Sequence, residues 1–221
     1  MSSHHVVRDF QEPALLIADG EPCSMQLLEQ LLNWSPVVVA LDGAFPKLCE
    51  LGVKVDYWLG DFDDFNPEEK LAELGQSNVE IVHTPNQNFT DFEKGIAFLI
   101  EKGAAEINIV WADGKRLDHA TSNLSSFVKM AQKVRLVMYN NWCKMFLLPK
   151  QFEKWYPAGK IISLIPAPIA KGISTSGLKY ELENGELKFG ERTGSSNEAL
   201  ADGLVSIRYS DGQLLMIEVD E

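Results

Sequence analysis

Up to about residue 140, short apolar runs alternate with helix-length amphipathic segments, and most of the runs end in an aspartate. Residues 14–18 run into Asp19-Gly20 and residues 37–41 into Asp42-Gly43. Residues 56–59 lead to Gly60-Asp61, and residues 107–111 to Asp113-Gly114. Apolar runs this short, bounded by turn residues, read as buried strands. Two more strands are expected at 79–82 and 134–139. Helices are predicted over 25–32 behind a Ser24 cap, 44–51 stopped by Gly52, 67–75 ending at Gly75, 91–100 capped by Thr90-Asp91, and 117–132. Such alternation requires βαβ units, hence an α/β fold with a Rossmann-like, mainly parallel sheet and flanking helices. In sheets of that kind ligands bind beyond the carboxyl ends of the strands. Asp19, Asp42, Asp61, Asp63 and Asp113 should therefore gather along one edge.

Past residue 140 the helical period disappears. Short strands are separated by Pro157-Ala158-Gly159, Pro166-Ala167-Pro168, Asn184-Gly185 and Asp211-Gly212. Asn-Gly and Asp-Gly between apolar runs are hairpin signals. Two domains are expected, an α/β domain over 1–140 and an antiparallel β domain over 141–221. The second is too small to enclose a ligand, and a cleft between domains is a common binding site.

The densest acidic run is Gly60-Asp61-Phe62-Asp63-Asp64. On extended backbone, residues i and i+2 share a face, so Asp61 and Asp63 are expected to point the same way. Like charges that close raise each other's pKa unless a cation sits between them. Oxygen ligands suit Mg²⁺, which takes one or two carboxylates and completes its shell with water and substrate phosphates. The competing reading is a solvated acidic loop, with Asp64 or Asn66 capping a helix at Pro67.

Charge and composition narrow the function classes. A net charge of -12 argues against a broad nucleic-acid surface, which needs Lys and Arg to neutralise phosphates. No apolar run approaches the ~20 residues that span a membrane. Met1-Ser2-Ser3-His4-His5 lacks the pattern of a secretory signal. Cys23, Cys49 and Cys143 form neither a metal-type pair nor a disulfide framework. The expectation is a cytoplasmic enzyme or binding protein.

Neither standard nucleotide fingerprint is present. Gly114-Lys115 resembles the end of a P-loop, but Arg116 stands where Ser or Thr belongs, and Ile109 where the first glycine belongs. His119 beside Asp118 reads either as a base or as a structural hydrogen-bond partner. Arg116 reads either as a fork for a phosphate or as half of a surface ion pair with Asp118. Asp91 reads either as a third carboxylate of the site or as a first-turn acid favoured by the helix dipole.

In order and spacing, these motifs resemble those of the thiamine pyrophosphokinases. They are Asp42-Gly43, Gly60-Asp61-Phe62-Asp63, Thr90-Asp91 with Lys94, and Gly114-Lys115-Arg116-Leu117-Asp118-His119 with Asn123. Ser176-Gly177-Leu178-Lys179-Tyr180 and Ser195-Ser196-Asn197-Glu198 are similar to motifs of that family's β domain. The resemblance runs from about residue 15 to 217 and implies a C-terminal β-sandwich. It also implies a homodimer whose active sites are shared between subunits. The implied reaction transfers the terminal diphosphate of ATP to the hydroxyl of thiamine, with Mg²⁺, releasing AMP. Asp61, Asp63, Asp91 and Asp118 would be catalytic, the first three as metal ligands. Asp42, Gly43, Lys94, Arg116 and Asn123 would face the nucleotide. Tyr180, Ser195, Ser196 and Asn197 would contact thiamine. Either Asp61 or Asp118 would accept the hydroxyl proton.

The chain departs from the family pattern at Ala44, Asp64, Tyr180 and Gly194, where the family or its eukaryotic members carry Gly, Ser, Trp and Ser. Besides a metal-dependent phosphatase using an Asp-x-Asp pair, which should release inorganic phosphate rather than AMP, two alternatives fit the same acids. One is a diphosphokinase for another alcohol, such as a hydroxymethylpterin. The other is a regulator that binds nucleotide or thiamine diphosphate without catalysis.

Overall fold

Runs in which every side chain is buried form the centre of the first unit: β1 (Ala14–Ile17) and β2 (Val38–Leu41). This is a computed structural model that describes residues 12–63, 65–75 and 78–220. Asp64 and residues 1–5, which enter the sequence reading, lie outside the described residues. The chain divides into two units, one ending at Val134 and one beginning at Arg135.

The first unit adds α1 (Met25–Leu32) between those strands, then α2 (Ala44–Glu50), β3 (Tyr57–Gly60), α3 (Pro67–Glu73) and β4 (Glu80–His83). It closes with α4 (Asp91–Glu101), β5 (Glu106–Val110) and α5 (Leu117–Met130). All five helices among the described residues belong to it, so the mixed α/β expectation holds. Its strands run parallel in the order β4-β3-β2-β1-β5. The chain winds outward from β1 to β4, then returns to the other side of β1. That reversal makes the carboxyl ends of β1 and β5 a topological switch point, where such sheets bind ligands.

Local chemistry sets the helix starts. Ser24 accepts from the Leu27 amide, Thr90 from Glu93, and Asn66 from Glu68 and Glu69. Each side chain satisfies donors that a helix N-terminus leaves unpaired. α4 buries Phe92, Ile96 and Leu99 on either side of Gly95. A Cβ on Gly95 would come within 2.9 Å of both Leu16 Cδ1 and Leu41 Cδ2. The missing methyl lets α4 lie flush on the sheet, which fixes the height of Asp91 at its first turn.

The second unit contains β6 (Arg135–Tyr139), β7 (Cys143–Leu147), β8 (Gln151–Tyr156) and β9 (Ile161–Ser176). It continues through β10 (Gly185–Lys188), β11 (Gly194–Glu198), β12 (Gly203–Arg208) and β13 (Asp211–Val219). Every pairing within it is antiparallel. β9 is the hub, pairing with β10, β11, β12 and β13 around a core that includes Tyr156, Ile162, Leu164 and Val205.

Three expectations change here. Pro166-Ala167-Pro168 does not separate strands; it lies inside the 16-residue β9. The prolines have no N–H to give, and the ladder to β13 takes them at a register shift beside Gly212. Asp211-Gly212 is not a hairpin turn, because β12 pairs with β8 and β9 while β13 pairs with β7 and β9. Asn184-Gly185 is no two-residue turn either: Gly185 opens β10 at the end of the connection 177–184 from β9, with Asn184 at a positive φ of 48°.

Candidate active site

The first unit carries a cleft of about 850 Å³ at the carboxyl ends of its strands. Its floor depends on a glycine. The Gly20 amide donates to Trp111 O at 2.5 Å and the Glu21 amide to Asp113 O at 2.8 Å, stitching the loops after β1 and β5 together. A Cβ on Gly20 would lie 2.3 Å from the carbonyl oxygens of both Trp111 and Asp113. Both obstacles are backbone and cannot swing aside. Gly20→Ala should therefore cost about 1–3 kcal/mol, the usual range for overpacking. Chemical unfolding measures it, and a wild-type midpoint would show that the seam yields.

Three carboxylates converge beside this floor. Asp42 follows β2, Asp61 follows β3, and Asp91 opens α4. One carboxylate oxygen from each lies within 4.8 Å of the others. All three residues are half-buried. Gly60 makes the approach possible, since a Cβ there would press on Asp42 Cβ and Cγ at 3.1 and 3.2 Å. The indole of Trp58 donates to Asp42 O at 2.9 Å, tying the two strand ends together.

The extended backbone expected through Asp61 and Asp63 is absent. β3 stops at Gly60, and Phe62 takes a φ of 51°. Its ring turns inward against Trp58, centroids 5.1 Å apart. The pull of an aromatic core overrides the strand period. Asp63 consequently stays outside the close trio, and Asp42 stands in it instead. Asp61 and Asp63 still meet through Gln87, whose Nε2 donates to Oδ2 of each at 3.0 Å. A neutral glutamine in a loop carries no spacing signal, and the sequence reading missed it.

The cations of the cleft are held close to its acids. Lys94 is nearly buried, its Nζ donating to Asp91 Oδ1 at 3.0 Å and Thr84 O at 2.8 Å. Arg116 grips Asp118 with two bonds, Nε to Oδ1 at 3.2 Å and the guanidinium to Oδ2 at 2.6 Å. That hydrogen-bonded guanidinium holds the Asp118 carboxyl down at about 2. Asn123 spends its Nδ2 on Ala112 O at 2.8 Å. Gly43 packs against Asp19, where a Cβ would sit 2.4 Å from Oδ2. Thus Asp42, Gly43, Asp61, Asp91, Lys94 and Arg116 line one cleft, as do Asp118 and Asn123.

The remaining candidates lie in the second unit. Tyr180 is 64% exposed, so it is no core residue. Asn197 is buried and uses its amide on the backbone of Tyr180, accepting from its N–H at 3.0 Å and donating to its carbonyl at 2.8 Å. Asn197 thereby fixes the segment that displays Tyr180. Ser195 and Ser196 are exposed, with Ser196 at a φ of 56° and its amide bound to Ser163 Oγ.

Comparison with known proteins agrees with both units. Residues 28–138 match the family model of the thiamin pyrophosphokinase catalytic domain, and residues 148–214 that of the thiamin pyrophosphokinase vitamin B1 binding domain. The chain is 28% identical to thiamin pyrophosphokinase 1 of Caenorhabditis elegans, over 91% of this chain and 87% of the relative. It is 26% identical to thiamine pyrophosphokinase of Bacillus subtilis, over 81% and 85%. The crystal structure of the Bacillus subtilis thiamine pyrophosphokinase superposes with a TM-score of 0.78 at 20% identity, covering 94% of this chain and 99% of that one. By these matches and by its ordered motifs, the chain belongs to the thiamin pyrophosphokinase family.

Proposed function

We propose that this chain transfers the terminal diphosphate of ATP to the hydroxyl of thiamine, giving thiamine diphosphate and AMP. The observation that carries the reading is the convergence of Asp42, Asp61 and Asp91 in the same cleft as Lys94, Arg116 and Asp118. Three hard oxygen donors this close fit Mg²⁺, which prefers carboxylate and phosphate oxygen. Bound there, Mg²⁺ would neutralise charge on the triphosphate.

The protein's own share is positioning and electrostatics, which dominate when little covalent work is needed. Lys94 keeps Asp91 aimed into the cleft. Arg116 carries a planar fork suited to a phosphate. Asp118, held ionised by Arg116, would orient the thiamine hydroxyl, and Asp61 is the other candidate to accept its proton. Tyr180 offers an exposed ring to a flat cationic thiazolium.

In finer terms we read the first unit as Rossmann-like and the second as a β-sandwich. We read the protein as a cytoplasmic homodimer with active sites shared between subunits. No helix among the described residues is long and apolar enough to cross a membrane.

The test is purified protein with ATP, Mg²⁺ and thiamine, nucleotide products separated. AMP should appear only when thiamine is present. Inorganic phosphate instead of AMP, or no turnover, would refute the reading. In the same assay Tyr180→Ala should raise the KM for thiamine several-fold, as expected for losing a cation–π contact worth roughly 0.5–2 kcal/mol. The KM for ATP and the ligand-free melting temperature should hardly move.

A further inference from the structure

Lys115 has no part in the chemistry above, yet its placement is unusual. Its backbone lies in the left-handed region, φ 46°, directly after Gly114 at φ 73°. Residues other than glycine occupy that region at a cost, so a lysine there points to a use for its side chain. The side chain lines the cleft and reaches the end of β1. Its Nζ donates to Asp19 O at 3.2 Å and to Asp19 Oδ1 at 3.3 Å.

That carboxylate already has a closer cation. Lys47, on α2, donates to the same Oδ1 at 2.5 Å. The side chains of Lys47, Lys115 and Asp19 are 39%, 38% and 48% exposed. Ion pairs so exposed contribute little. When Lys115 leaves, Lys47 still neutralises Asp19. The other cations of the cleft are less free. Lys94 is nearly buried on two acceptors, and Arg116 is engaged twice on Asp118.

We propose that Lys115 is the transferable cation of the cleft, resting on Asp19 before nucleotide binds and passing to a phosphate of the bound nucleotide. The proposal builds on the reading that this cleft takes ATP. A lysine suits the task, being a compact charge on a flexible four-carbon stem. Lys47 is the counterweight that makes the move cheap.

Calorimetric titration with a non-hydrolysable ATP analogue at fixed Mg²⁺ tests it. Lys115→Gly removes the side chain where the backbone already suits glycine. Its Kd should rise about tenfold, the loss of one charge-assisted hydrogen bond, with the melting temperature unchanged or higher. Asp19→Asn loosens the resting contact, so its Kd should stay level or fall. Lys47→Ala leaves Asp19 to hold Lys115 harder, so its Kd should rise. Wild-type protein that binds no analogue would defeat the nucleotide reading itself. Wild-type binding with an unaltered Kd in Lys115→Gly would overturn only the transferable cation. Weaker binding and lower melting temperatures in both Lys115→Gly and Asp19→Asn would make Lys115 a structural latch and also overturn it.

Discussion

Asp61→Asn should lower the rate of diphosphate transfer by a hundredfold or more, the scale of loss when reacting groups are misplaced. The fold should survive. Asp61 has one of the three carboxylate oxygens that lie within 4.8 Å of one another, and its side chain accepts a bond from Gln87. An asparagine can keep that bond through its own Oδ1. What it removes is one negative charge from a crowded trio, so the protein without metal should melt at the same temperature or slightly higher. Wild-type protein should be stabilised by Mg²⁺ as a bound ligand stabilises the native state. The variant should lose most of that gain and need more Mg²⁺ for half-maximal rate. Near-normal turnover with an unaltered Mg²⁺ requirement would remove Asp61 from the site.

The elements that carry this site were legible because their signals are local. Buried runs such as residues 14–18 and 37–41, each closed by Asp-Gly, announce strands and the edge on which their acids sit. The caps Ser24 and Thr90 are equally plain, since a short side-chain oxygen must satisfy the first free amides of a helix. What the sequence did not reveal depends on tertiary contact. Phe62 breaks the strand period to pack on Trp58, which moves Asp63 out of the trio and leaves Asp42 within it. Gln87 joins Asp61 and Asp63 from a loop more than twenty residues away. The role of Asn197 as a clamp on Tyr180 rests on burial and a two-way hydrogen bond that no spacing rule encodes. The path of β9 through two prolines needed the register shift in its partner strand.

The same limit applies to Glu218, which no motif or spacing singles out and which is 2% exposed in the second unit. Its carboxylate accepts from Tyr156 Oη at 2.6 Å and from Lys154 Nζ at 2.9 and 3.0 Å, with Lys144 Nζ 3.1 Å away. Burial pushes its pKa up, but the bonds from Tyr156 and Lys154 and the charge of Lys144 outweigh that and hold it below the ordinary value. Glu218→Ala should cost about 2–4 kcal/mol at neutral pH. It strands the buried Tyr156 hydroxyl, worth roughly 1–3 kcal/mol, and breaks an ion cluster whose lysines are partly solvated, so that part falls below the 3–5 kcal/mol of a fully buried pair. The pH dependence has a definite sign. A carboxylate with a depressed folded pKa adds stability that is complete above its unfolded value, near 4.3, and is lost as pH falls through the folded value. Urea unfolding of wild type and of Glu218→Gln should therefore differ most at neutral pH, and the difference should shrink in acid as wild-type Glu218 takes up its proton. A difference that stayed constant from neutral to acidic pH would mean that Glu218 acts through shape alone and not through charge.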